Sequence, residues 1–513
     1  MADIDELSGP DRRAVLGLAA GAAVAAGSVK AAPAKAPADI VSLSAHELSR
    51  AIAARRVSCV EVMGAYLDHI AAVNPKVNAI VGLQPRAGLL REAAERDAVL
   101  KRGEKVGPLF GFPHAVKDLQ PVKGLPFTQG SPIFKDTVAP ADALMVARLR
   151  KAGVIFIGKT NTPEFGLGSQ TYNPVWGVTR NPYDLSKSAG GSSGGAAAAL
   201  ATRMLPLADG SDFAGSLRNP AGWNNVVGLR PTTGRVPVHG REEWIPGMGV
   251  TGPMARSVAD LALLLAHQAG YDADAPLSLE GDGREFLGSL ASDPKGKRMG
   301  WLGDFGGAVA YEPEVLATCR AALKRFEALG CVVEDAAVAY PAEKAWQSFM
   351  RLRGWTQGGG LVELYNDPAR RALLKPEAVY EIELGRGLSA YDVQADSVVR
   401  TEWAQAVRKL FARYDVLVAP TAQLFAFDAD QHWPKTVAGR SMRTYHEWMM
   451  GVCLVTLTGC PSLAVPAGFG AGGTPIGLQI IAPVRQEMTA LRLGAAYEKA
   501  ANWTARRPPL LGA

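Results

Sequence analysis

The chain has 513 residues, is 48% apolar and 20% charged, and carries a formal net charge of +6. That length holds one large or two ordinary domains and buries a core that needs no disulfide or metal to hold it. The mild positive charge is spread along the chain, with no lysine/arginine block, which excludes a nucleic-acid-binding patch.

Residues 1–38 read as a leader. Arg12-Arg13-Ala14-Val15-Leu16 precedes an alanine-rich apolar run to Gly27, then Lys30 and an Ala/Pro stretch. Paired arginines before a weakly apolar run match a twin-arginine export signal. The run is about 14 residues, too short and small-sided to span a bilayer stably. Cleavage is expected near Ala31 to Ala34, which would leave the mature protein in a bacterial periplasm or outside the cell. A disordered tail is the alternative.

From residue 39 to the end the pattern is globular. Ser44 to Ile70 has helical periodicity, with Ser44 as cap and Glu47 three residues on. Ala87 to Lys101 reads as a second helix. Phe112 to Lys117 is a short apolar run after Gly111, expected as a buried strand ending at Lys117. Asp142 to Ala152 reads as a helix and Val154 to Ile157 as a strand, so helix and strand alternate as in an α/β sheet. Gly194 to Met204 is a helix of small residues whose backbone can approach its neighbours closely. Arg256 to Ala269 is another helix. Lys297 to Leu302 and Cys331 to Val333 read as strands around a helix from Pro313 to Leu329.

Residues 341–450 change character and hold five of the ten tryptophans: Trp346, Trp355, Trp403, Trp433 and Trp448. Val416 to Pro420, Ser462 to Pro466 and Ile476 to Ile481 then read as strands returning to the sheet. One α/β domain over 39–513, carrying a helical, tryptophan-rich insertion at 341–450, fits better than two independent domains. The five cysteines show no metal-ligand spacing. A Cys319–Cys331 disulfide is permitted but not demanded, and Cys460, in Gly-Cys-Pro-Ser, could reach a pocket.

The chemistry concentrates between Ser188 and Pro220. A glycine-flanked serine pair, Ser192 and Ser193, precedes the Ala-rich helix, and a second glycine-framed serine, Ser216, follows it. Serine is a poor nucleophile until a base takes its proton. None of the seven histidines sits in a triad-like frame, and His114 reads as structural. Lys117 ends an apolar run, and a lysine can be the base when burial keeps it neutral. Asp118 must then point away from the amine. Taken alone, Gly190 to Gly195 serves phosphate binding at a helix N-terminus as well as catalysis. No HExxH or His/Asp cluster supports a metal, and no cofactor motif is present.

Together, Lys117, the Gly190–Gly195 box and the Ser211–Pro220 box resemble the amidase signature family. Asn181-Pro182-Tyr183-Asp184, Gly228 to Thr232, Gly234 to Pro237, Val416 to Thr421 and Gly459 to Gly468 extend the likeness over roughly residues 41–505. The resemblance implies a mixed central β-sheet covered by helices on both faces. It implies that Ser216 is the nucleophile and that Ser192, after a cis peptide bond from Gly191, relays its proton to Lys117. It also implies an oxyanion hole from the N–H groups of Phe213, Ala214, Gly215 and Ser216, with Ser193, Asp212 and Arg218 in support. Ala214 stands where the family commonly has glycine, and it keeps the N–H in place if its φ is negative.

By the same resemblance, Gly130, Ser131, Gln170, Thr171 and Trp223 are expected near the acyl group. Trp433, Tyr445 and Trp448 are expected at the entrance, and Cys460 within reach. The activity implied is hydrolysis of a small carboxamide, aryl or alkyl amide, or oligo-amide. Ester or carbamate hydrolysis is the alternative on the same machinery, and one component of an amidotransferase or a non-catalytic relative the more distant ones. The partners implied are the amide substrate and water, in a monomer or homodimer.

Overall fold

A computed structural model of the protein describes residues 39–240, 242–245 and 247–512. The expected leader, 1–38, lies outside the described residues. One continuous hydrophobic core extends from Ala45 to Trp503.

The first helical stretch is two helices, not one. Ala45–Ala53 and Cys59–Val77 are separated by a turn in which Arg55 takes a φ of 54°. Each helix starts with its own capping box, Ser44 with Glu47 and Ser58 with Glu61. The second box satisfies the N–H groups that an uninterrupted helix would have paired.

Two sheets organise the rest. A three-stranded sheet contains β1 (Ile80–Val81), β2 (Pro113–Lys117) and β3 (Ile155–Thr160) in the order β1-β3-β2. The larger sheet contains β4 (Ala208–Asp212), β5 (Val227–Arg230), β6 (Val250–Ala255), β7 (Arg298–Trp301), β8 (Val332–Asp335), β9 (Val416–Pro420), β10 (Ser462–Phe469) and β11 (Pro475–Ile481). Its order is β8-β7-β9-β11-β10-β5-β6-β4. β7 runs parallel to β8 and β9, and the other neighbouring pairs are antiparallel. The fold is thus α/β, as the helix–strand alternation implied, with the mixed central sheet that the family resemblance implied. Side chains join the two sheets: His114 Nε2 of β2 pairs with Asp209 Oδ1 of β4 at 3.0 Å, and the Lys117 N–H donates to Asp209 Oδ2 at 3.3 Å.

The helix Gly194–Ala201 is buried along its whole length. Gly195 allows this, because a Cβ there would lie 2.3 Å from the Asn161 nitrogen and 2.7 Å from the Ala79 oxygen. The insertion is shorter than its tryptophan content suggested. Its long helices are Ala342–Asn366, Pro376–Arg386 and Ala390–Leu410. β9 is already back in the main sheet between β7 and β11. All five cysteines are free and buried, so the permitted Cys319–Cys331 disulfide is not formed.

Two alanine substitutions should separate close approach from helix propensity. Gly195→Ala should cost about 1–3 kcal/mol through overpacking. Gly64→Ala, in the helix Cys59–Val77 with nothing within 4 Å of the new methyl, should be neutral or stabilise by up to about 1 kcal/mol. Denaturant unfolding of both variants beside the parent reads the difference.

Candidate active site

β2 delivers Lys117 to the core. The residue is fully buried, and Nζ lies 2.7 Å from Ser192 Oγ, 2.9 Å from Ser193 Oγ and 3.0 Å from Ser211 Oγ. Burial lowers its pKa from 10.5 to about 7, against the opposing pull of Asp209 and Asp212. An amine so placed is substantially neutral near neutral pH and can accept a hydroxyl proton. Asp118 does turn away from this amine. Its carboxylate accepts from the Thr128 hydroxyl at 2.5 Å and from Trp176 Nε1 at 3.2 Å, and it lies 3.8 Å from Lys159 Nζ.

The Gly191–Ser192 peptide is cis, and Ser193 immediately precedes the helix Gly194–Ala201 without a side-chain capping bond. Ser192 and Ser216 both open onto one cavity of about 910 Å³. β4 ends at Asp212, and the loop after it carries Ser216. Asp212 is fully engaged beneath that loop. It accepts from the N–H groups of Gly215 at 3.0 Å and Leu217 at 3.1 Å, and from Arg218 Nε and Nη2, each at 2.9 Å. Burial alone would raise its pKa, but Arg218 and Arg230 outweigh burial and hold the carboxyl well below its usual range. Arg218 also donates to Val452 O, Gln479 Oε1 and Thr456 Oγ1, which fastens the loop to β11 and to the helix Met450–Leu457.

Gly215 has a φ of +94°, and a Cβ on it would lie 2.5 Å from Val452 Cγ2. Both facts demand glycine there. Ala214 is not among the residues with positive φ, so alanine is accommodated. Because Asp212 occupies the Gly215 N–H, the loop donors without a partner among the described residues are those of Phe213, Ala214 and Ser216. Gly215 therefore departs from the four-donor expectation.

Comparisons with known proteins point to one family. The family profile described as amidase matches residues 61–491. An acylamidase of Rhodococcus erythropolis is 38% identical over 91% of this chain and 97% of its own. A glutamyl-tRNA(Gln) amidotransferase chain of Thermosynechococcus vestitus is 35% identical over 90% of this chain and 99% of its own. The crystal structure of a bacterial aryl acylamidase superposes with a TM-score of 0.86 at 29% identity, covering 92% of this chain and 99% of that one.

The chain belongs to the amidase signature family. It is a hydrolase of carbon–nitrogen bonds in amides.

In this amidase the wall residues differ from those the resemblance suggested. Gly130, Ser131, Gln170, Thr171, Trp223, Tyr445, Trp448 and Cys460 do not line the cavity. The Gly130 N–H donates to the Thr128 hydroxyl, and Ser131 Oγ donates to Glu164. Gln170 bridges the Ser188 hydroxyl and Ala429 O, and Thr171 Oγ1 donates to Gly190 O and accepts from the Gly194 N–H. Trp223 donates to Leu424 O and stacks on Trp448 at 5.8 Å. Cys460 is fully buried. Of these, Thr171 braces the Gly190–Gly195 segment from outside the cavity. Trp433 also lies off the cavity, and Trp355 is the tryptophan that lines it, with Phe165, Phe213, Val236, Leu277 and Ile245.

Sequence reasoning gave no role to Ser211, although it lies inside the recognised box. It also missed Asp209 and Arg353. Arg353 lines the cavity and stacks over the Phe213 ring at 4.9 Å. Its Nε donates to Glu381 Oε1 at 2.7 Å and contacts His446 Nε2 at 3.0 Å, and its Nη2 donates to Tyr445 Oη at 3.3 Å. Burial raises the Glu381 pKa, but Arg353 and His446 outweigh it and bring it down to about 2. Burial pushes the His446 pKa down and the Tyr445 pKa up, so both stay uncharged. The cluster thus holds one cation and one anion. Partners up to 93 residues apart leave no local motif.

Lys117 also gives a stability signature. Between pH 7 and 10.5 the unfolded chain holds a proton on this lysine that the folded chain lacks. Its burial penalty is therefore full below about pH 7 and shrinks as pH rises through that window. Lys117→Met should flatten the rise of unfolding free energy over that range, measured by denaturant titration at several pH values.

Proposed function

We propose that this amidase cleaves uncharged aryl or alkyl amides through an acyl-enzyme on Ser216. The observation that carries the reading is the buried Lys117 amine, its pKa brought down to about 7 by burial and its Nζ 2.7 Å from Ser192 Oγ. Ser216 Oγ attacks the carbonyl carbon as its proton passes to Ser192 and the Ser192 proton passes to Lys117. The tetrahedral oxyanion is held by the N–H groups of Phe213, Ala214 and Ser216, donors of a kind worth about 3 kcal/mol each. The relay returns the proton to the departing amine nitrogen, the C–N bond breaks, and an ester on Ser216 remains. Water then attacks the ester, giving its proton to the same relay, and the carboxylic acid leaves with Ser216 regenerated.

The cavity supports the substrate class. Its volume of about 910 Å³ and its lining of Phe165, Phe213, Trp355, Val236, Leu277 and Ile245 suit a bulky apolar group better than a bare carboxamide. Esters and carbamates would use the same steps. The identity to an amidotransferase chain favours a second reading, release of ammonia from glutamine for a partner, and glutaminase activity would be its sign.

A fluorophosphonate should add once, to Ser216, as read by intact mass and peptide mapping. Ser216→Ala and Lys117→Ala should abolish the adduct and lower kcat/KM by about 10³-fold or more. Activity should rise with pH to a plateau with a midpoint near 7, as Lys117 loses its proton. An adduct on another residue, or activity that falls through pH 7, would sink the relay. In the same assays anilides should be turned over faster than acetamide; equal rates would refute the aryl/alkyl preference.

A further inference from the structure

Arg353 is an arginine with its charge already answered and its Nη1 amino group left over. Nε and Nη2 are committed to Glu381, His446 and Tyr445, and Nη1 has no acceptor among the described residues. The side chain is 3% exposed, and Arg353 is one of the residues that line the Ser216 cavity. Its guanidinium rests on the ring of Phe213, three residues before Ser216, so it is held beside the nucleophile loop. A buried donor facing a cavity calls for an acceptor on whatever fills it, because an unanswered one costs desolvation energy.

The charge balance chooses the acceptor. Glu381, ionised and 2.7 Å from Nε, compensates the guanidinium. Asp212, also on the cavity, is compensated by Arg218 and Arg230. Glu242 and Glu243 add carboxylates to the same lining. Beside Arg353 a substrate carboxylate would meet a guanidinium already paired with Glu381, which offsets its loss of water only in part. A ketone, carboxamide or sulfonyl oxygen loses little water and gains a charge-assisted hydrogen bond.

We propose that Arg353 Nη1 is a specificity-determining substrate donor, selecting amides that carry a second, uncharged hydrogen-bond acceptor and disfavouring those that carry a carboxylate. The proposal rests on the reading of this cavity as the amide site. It also bears on glutamine, whose α-carboxylate falls in the disfavoured class.

The test uses anilides of equal acyl length, across several lengths, ending in methyl, methyl ketone or carboxylate. For the full-length enzyme at its best length, kcat/KM should run ketone above methyl above carboxylate. The ketone-to-methyl ratio should fall by about 10- to 100-fold in Arg353→Lys, which keeps a cation beside Glu381 but lacks the forked donor. The double variant Arg353→Met/Glu381→Met should lose the same preference without leaving a buried charge, and it covers the case in which Arg353→Lys does not fold. A ketone preference that survives in both variants, or a parent enzyme that prefers the carboxylate, overturns the proposal. Fluorophosphonate labelling of the parent separates the levels. Labelled Ser216 with an unchanged ratio refutes Arg353 alone, and no labelling refutes the amide-site reading and this proposal with it.

Discussion

The site depends on burying an amine without giving it a carboxylate partner. An isolated ammonium in a protein interior is costly, and a nearby anion would restore its charge at the expense of its basicity. The structure meets Lys117 with hydroxyls instead. Ser192, Ser193 and Ser211 surround Nζ, while the closest carboxylates are bound elsewhere. Asp209 is bound to His114, Asp118 to Thr128 and Trp176, and Asp212 to two arginines. Much of the surrounding polar architecture keeps these anions occupied.

The second buried network positions the Ser216 loop. Asp212 joins the loop N–H groups to Arg218, and Arg218 reaches β11 and the helix Met450–Leu457. Arg230, on β5, donates to the Asp212 backbone oxygen at 2.6 Å. Buried ion pairs of this type contribute little net stability but fix one arrangement, because each alternative leaves a charge unpaired. Gly215 lets the loop pass beside Val452, where a methyl group would collide. The loop is thus held by charge on one side and by contact on the other, and Phe213, Ala214 and Ser216 line the cavity.

The cavity wall comes from segments remote in sequence. Phe165 follows β3, Val236 follows β5, Leu277 follows the helix Val258–Gln268, and Arg353 and Trp355 lie on the insertion helix Ala342–Asn366. The insertion is therefore part of the substrate chamber. The tryptophans of 341–450 divide by burial: Trp346, Trp403 and Trp448 serve the core, and Trp355 meets the cavity.

The sequence by itself determined the family, the α/β pattern and the two short boxes of candidate chemistry. Each is a local signal: hydrophobic period, capping residues, and glycines around serine. The strands it read, β2, β3, β7, β8, β9, β10 and β11, are mostly apolar runs. β4 escaped because Ala-Asp-Gly-Ser-Asp has neither alternation nor bulk, although it carries Asp209, Ser211 and Asp212. Only the tertiary structure decided the wall of the chamber. Which face of Trp223 or Tyr445 meets a ligand depends on packing against Trp448, Leu424 and Glu381, contacts made across the fold. Arg353 became legible only once folding had brought Glu381, Tyr445 and His446 around it, since a charge's role depends on its neighbours and these are distant in the chain.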